Sequence, residues 1–251
     1  MRIAIKVAYD GRKFHGFAIQ PDKRTVEGEI LKMLRKKGVI EDKARFQYAS
    51  RTDRGVSAMG NVISFNCRGN AVRVLENMDD IWIVGYAKVD EKFNPRYCKS
   101  KIYRYYLYND GYDVEEMKRI ATLFVGEHDF SSFARIDSRN PVRKIYDIKI
   151  ENRGEIVTFD FTGKSFLWNQ VRRMMGAIMM AGRKKVDENI IREALHGKKR
   201  MNFGVAPPEN LVLMDVEYDN IVFNPVKSKK LLTTASFFED LLERAKCINI
   251  H

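Results

Sequence analysis

Polar and apolar residues alternate over Arg2–Tyr9, which predicts an opening strand, and Asp10-Gly11-Arg12-Lys13 reads as the turn that ends it. From about Thr25 to Lys37 the period lengthens to that of a helix, with Val26, Ile30, Met33 and Leu34 as its apolar stripe and Gly38 as its stop. Arg45-Phe46-Gln47-Tyr48-Ala49 alternates again as a half-buried strand, and Val62-Ile63-Ser64-Phe65 resumes a strand-like run. A short helix is expected over Val72–Met78 and a strand over Ile81–Val89. The order of this half is β-α-β-β-α-β.

Beyond a boundary placed near Pro95–Lys99, the same order is expected to recur without any residue-level repeat. Lys101–Tyr108 is strand and Asn109-Asp110-Gly111 a turn. A helix covers about Val114–Val125, with Met117, Ile120, Ala121, Leu123 and Phe124 apolar. Pro141–Ile150 and Ile156–Thr162 are strands joined across Asn152-Arg153-Gly154, a long helix spans about Ser165–Ala181, and Leu211–Tyr218 is the last strand. The fold class expected is α+β. Two ferredoxin-like (RRM-like) halves, residues 1–98 and 99–225, form one continuous, mainly antiparallel sheet. Its helices lie on one face, and a central cleft on the other cradles a ligand. Residues 226–251 form a tail, with a basic link (Lys227-Ser228-Lys229-Lys230) and a helix started by the capping-box pair Ser236 and Glu239. Phe237, Phe238, Leu241, Leu242 and Ala245 share one face of that helix, which either packs on its own domain or makes a dimer contact.

Composition narrows the classes. The 251 residues are 45% hydrophobic and 31% charged, enough to bury a sizeable core. No apolar run approaches the roughly 20 residues needed to cross a bilayer, and the N-terminus lacks a signal peptide's apolar core. A cytoplasmic protein is the expectation. Cys67, Cys98 and Cys247 form no CxxC pair, and His15, His128, His196 and His251 show no ligand spacing, so neither disulfides nor a metal is expected. The net charge of +12 suggests a polyanionic partner, nucleic acid first. The plainer reading is the Lys-rich surface of a heat-adapted protein, and glutamine does occur only at 20, 47 and 170.

The chemistry concentrates in Tyr48-Ala49-Ser50-Arg51-Thr52-Asp53-Arg54-Gly55-Val56-Ser57-Ala58. One carboxylate, Asp53, stands between two guanidinium groups, Arg51 and Arg54, and neighbouring positive charge favours the ionised form. That suits a nucleophile, whereas a general acid needs its pKa raised. Spacing alone equally allows a structural Arg–Asp pair that closes a loop. The run Phe14-His15-Gly16-Phe17-Ala18-Ile19-Gln20-Pro21 reads either as an RNA contact or as a packed loop.

Ser50-Arg51-Thr52-Asp53-Arg54-Gly55-Val56-Ser57-Ala58 resembles the signature loop of the TruA family of tRNA pseudouridine synthases, in its archaeal and eukaryotic form. Two further stretches carry the resemblance: the strand Lys101-Ile102-Tyr103-Arg104-Tyr105 and the segment Phe166-Leu167-Trp168-Asn169-Gln170-Val171-Arg172. Taken alone, the tyrosines are ordinary strand packing and the helix an ordinary core face. The resemblance implies that Asp53 is the nucleophile and attacks the ribose or the base. It places Tyr103 against the uracil and makes Arg172 the partner of the catalytic carboxylate. Arg51 and Arg54 are left to hold the flipped-out backbone or the loop. It implies isomerisation of uridine in the anticodon stem-loop of tRNA, at positions 38 to 40 in tRNA numbering, by a homodimer that needs no cofactor. Gly126-Glu127-His128-Asp129-Phe130 also resembles a family segment and reads as scaffold, with His128 not catalytic. The rival is a non-catalytic RNA-binding module, although Tyr103–Tyr108 lacks the glycines of an RNP pattern. A deaminase would need a Cys/His zinc set.

Overall fold

The computed structural model describes residues 1–136, 140–197 and 200–226. The basic link and the helix expected from Ser236 lie outside them. The chain divides into two compact units, Met1–Lys99 with the described residues from Val212 onward, and Ser100–Leu211.

In the first unit, β1 (Arg2–Tyr9) has every residue but Lys6 buried. It is paired antiparallel on one side with β3 (Ser57–Asn66) and on the other with β4 (Ile81–Lys88). The helix α1 (Val26–Lys36) starts where the Thr25 hydroxyl accepts from the Gly28 N–H at 3.2 Å. Its buried stripe is Val26, Ile30, Leu31 and Leu34, with Leu31 rather than Met33 at the centre. A one-turn helix, α2 (Ala71–Leu75), precedes β4. The strand expected over Arg45–Ala49 shrinks to β2 (Gln47–Tyr48), which pairs with β3 at Ser64 and Ile63. What holds this short strand is Arg2, 1% exposed. Its guanidinium donates to Gln47 Oε1 (2.5 Å), Ser64 Oγ (2.8 Å), Asn66 Oδ1 (2.8 Å), and the carbonyls of Phe93 (3.0 Å) and Arg45 (3.4 Å). A guanidinium this deep must be bonded throughout, and here all five N–H groups find neutral acceptors.

The second unit runs β5 (Ser100–Tyr108), α3 (Val114–Thr122), β6 (Gly126–Asp129), β7 (Val142–Arg153), β8 (Ile156–Gly163), α4 (Gln170–Gly182) and α5 (Glu188–Leu195). Its strands are ordered β5-β8-β7-β6, every neighbouring pair antiparallel. Two elements, β6 and α5, were not expected. The Asp113 carboxylate caps α3 by accepting from the Glu116 N–H at 3.0 Å, and Asp187 does the same for α5 through the Ile190 N–H at 3.0 Å.

The final strand departs from the expected boundary. Leu211–Glu217 (β9) runs parallel to β3, with Val212 opposite Ser57 and Leu213 opposite Ala58, so residues from Val212 on group with the first unit. The reason is an unused edge: β2 covers only the Ile63–Ser64 part of β3 and leaves the Ser57–Ala58 part for β9. The last short strand, β10 (Asn224–Pro225), lies against β4. Both units are therefore mixed α and β with mostly antiparallel sheets, β3 and β9 making the parallel pair. No helix among the described residues is long and apolar enough to cross a membrane.

Candidate active site

Asp53 lies in the connection that leaves β2 and re-enters as β3, half-buried between an exposed Arg51 and an exposed Arg54. The neck of this connection is closed by Asn61, which is fully buried. Its Oδ1 accepts from the N–H of Ser50 (3.3 Å) and of Val62 (3.0 Å), while its Nδ2 donates to the Ser50 carbonyl (2.9 Å) and the Tyr9 hydroxyl (3.3 Å). Thr52 is pinned from below by Tyr9, whose hydroxyl meets Thr52 Oγ1 at 2.8 Å. Past Asp53 the backbone turns, with the Val56 N–H donating to the Asp53 carbonyl at 3.1 Å. Asp53 is thus presented by a rigid loop on a strand edge, as a residue that acts on a ligand needs to be.

Two glycines brace the loop from the opening turn. The Gly11 N–H donates to Ser57 Oγ at 3.0 Å and its carbonyl accepts from Gly55 at 3.3 Å. A Cβ on Gly11 would stand 2.1 Å from the Val56 carbonyl oxygen. Gly16 has φ +97°, and beyond it the Phe17 N–H donates to the Thr52 carbonyl at 3.0 Å. Phe14 and Phe17 are buried, so the Phe14–Pro21 run is a packed loop that supports the Asp53 loop. Its aromatic residues are core rather than RNA contacts.

Arg51 donates its Nε–H to the Tyr48 hydroxyl at 2.7 Å and lies over that ring, 5.7 Å from the centroid. Its guanidinium is thereby tied to the strand before the loop. The polar residue that interrupts an apolar strand, Asn61, is the signal in the sequence that could have revealed this neck. Replacing Asn61 by Ala strands the Ser50 backbone groups without partners, which costs about 1–3 kcal/mol for a buried group left unpaired. A chemical denaturation series on Asn61→Ala measures this loss directly.

In the second unit, Tyr103 of β5 is buried and meets the Phe166 ring edge-on, with centroids 5.3 Å apart. Tyr105, two residues on, is buried deeper, and burial pushes its phenol well above the usual tyrosine range although Arg172 pulls it down. It stays protonated at neutral pH and serves as packing. Between them, Arg104 forms a bidentate pair with Asp160 on β8 at 2.6 Å for both bonds.

Arg172 is in the first turn of α4, not in its middle, because the helix expected from Ser165 begins only at Gln170. Asn169 stops it from starting earlier by adopting φ +61°, a left-handed conformation that asparagine tolerates. In that position Asn169 Oδ1 accepts from Arg172 Nη1 at 3.2 Å, and the Ala206 carbonyl accepts from Arg172 Nε at 2.7 Å. The Arg172 carbonyl in turn accepts from the Ala206 N–H at 3.0 Å. The guanidinium is oriented by a fork of two acceptors on different segments. Asn169 and Ala206 are contributors that spacing did not point to. His128 is fixed on the Val125 carbonyl at 3.0 Å and against Phe130, a scaffold role.

A family model for tRNA pseudouridine synthase matches residues 120–219. The tRNA pseudouridine synthase A of Thermococcus sibiricus is 47% identical to this chain, covering 96% of it and 99% of that protein. The protein of the same description from Pyrococcus furiosus is 45% identical over 89% of this chain and 86% of its own length. That from Methanothermobacter thermautotrophicus is 42% identical over 86% and 81%. Among solved structures, a chain in the crystal structure of a Cbf5-Nop10-Gar1 complex aligns with TM-score 0.40 and 14% identity, over 70% of this chain and 44% of that one.

Proposed function

The chain belongs to the tRNA pseudouridine synthase A family, and from that premise we propose that it isomerises uridines in the anticodon stem-loop of tRNA with Asp53 as nucleophile. The observation that carries this reading is the kinship with the Thermococcus protein, 47% identical across 96% of the chain. The reaction breaks the glycosidic bond, turns the base, joins C5 to the ribose and releases the C5 proton. A covalent nucleophile divides this work into easier steps, so no cofactor is required. In this reading Asp53 attacks, Arg172 holds the carboxylate in its ionised form, and Tyr103 packs against the uracil. Arg51 and Arg54, both exposed, bind the backbone of the flipped-out nucleotide. The net charge of +12 supports binding to a polyanion, and extrusion of the base costs a few kcal/mol that phosphate contacts offset.

The architecture we assign is a pair of ferredoxin-like halves, and the acting species a cytoplasmic homodimer. These follow the family resemblance, and light scattering on the intact chain checks the stoichiometry. Mapping the modified positions on a tRNA transcript by carbodiimide treatment and primer extension tests the substrate assignment. Modification in the anticodon arm is expected; modification confined to another arm rejects that site.

Tyr103→Phe separates the two uses of the ring. Stacking survives and the hydroxyl is lost, so single-turnover rate is expected to fall by about 10²–10⁴-fold if the phenol assists proton transfer at C5. Tight tRNA binding is expected to remain. An unchanged rate rejects the proton-transfer role and leaves Tyr103 as packing alone.

A further inference from the structure

We propose that Trp168 and Arg135 form a stacking platform for an unpaired RNA base next to the target uridine, a reading that rests on the tRNA-modifying function above. Trp168 is 43% exposed, unusual for the largest apolar side chain. The Arg135 guanidinium lies on it, 4.0 Å from the ring. The pair is fixed by backbone as well, because the Arg135 N–H donates to the Trp168 carbonyl at 2.8 Å in an isolated bridge. Burial along the segment runs half-buried Phe166, buried Leu167, exposed Trp168.

Two residues before Trp168, the Phe166 ring meets Tyr103, the residue assigned to the uracil. Trp168, paired with the exposed Arg135 cation, thus follows closely in the chain on the ring that packs against Tyr103. It lies immediately before Asn169, which orients Arg172. The chemistry fits a nucleotide: the indole offers a base its widest π-face, and guanidinium can both stack and bind the adjoining phosphate. A protein partner would also use an exposed tryptophan, but a site backed by arginine in a chain of charge +12 favours the nucleic acid.

The test uses the full chain and an anticodon stem-loop RNA. Stacking of one base is felt as about 5- to 150-fold in affinity. Trp168→Ala is expected to weaken binding by that factor. Trp168→Phe is expected to restore most of the affinity. In a Trp82→Phe background, RNA is expected to quench the emission of Trp168, a signal that needs no change at the site. Equal affinity in Trp168→Ala with no quenching overturns the proposal. So does an equal loss of affinity in Trp168→Ala and Trp168→Phe that tracks a lowered melting temperature. A changed oligomeric state with RNA affinity intact assigns the surface to protein contact and overturns it as well. Failure of the wild-type chain to form pseudouridine in tRNA rejects the underlying function instead, and the affinity comparison remains readable.

Discussion

Asp53→Asn is expected to abolish pseudouridine formation, by on the order of 10⁴-fold or more, the scale on which loss of a covalent nucleophile is felt. The amide has the shape of the carboxylate but cannot attack as an anion. The loop that carries it is held by groups that do not depend on the Asp53 side chain: Asn61 on Ser50, Tyr9 on Thr52, Gly11 on Gly55 and Ser57. Melting temperature and tRNA affinity are therefore expected to stay near those of the native chain. Filter binding and single-turnover assays on one preparation read both quantities. Turnover retained by the variant refutes the nucleophile assignment.

The second large effect is expected at a residue without a side chain. In Gly11→Ala the new methyl would lie 2.1 Å from the Val56 oxygen and 2.3 Å from its carbonyl carbon. Backbone cannot swing aside as a flexible side chain can, so either the opening turn or the Asp53 loop must move. Such overpacking costs about 1–3 kcal/mol, which for a chain of this size lowers the melting temperature by about 2–4 °C per kcal/mol. Activity is expected to fall further than stability, because a displacement of about 1 Å can cost two orders of magnitude in rate. Calorimetry and turnover on Gly11→Ala check the two losses separately. An active variant with native melting behaviour would show that the contact has slack.

How far the sequence foretold these features depends on the range of the interaction. β1 and α1 were legible because their cues are local: the alternation of Arg2–Tyr9, the Gly38 stop, and Val26, Ile30 and Leu34 one helical turn apart. The Asp53 loop was legible as a charged connection between two alternating runs. What it rests on was not. Arg2 reads as an ordinary basic residue near the N-terminus, and only the fold gathers its five acceptors from Arg45, Gln47, Ser64, Asn66 and Phe93. The early start assigned to α4 followed the apolar spacing of Phe166 and Leu167, which a left-handed Asn169 overrides. Asp187 ahead of α5 was an unused cap signal. β6, four residues with Glu, His and Asp among them, has no alternation to read and exists because β7 offers it an edge. β9 was recognised as a strand but not as the parallel neighbour of β3, a pairing that no local pattern encodes.

The most direct measurement is the release of tritium from tRNA labelled at uridine C5, incubated with the intact chain and no added cofactor. Forming the carbon–carbon bond expels the C5 hydrogen, so label is expected in the water in step with new pseudouridine, from the native chain and not from Asp53→Asn. Tight binding of the labelled tRNA by the native chain with no label released would contradict the assignment and leave an RNA-binding module in its place.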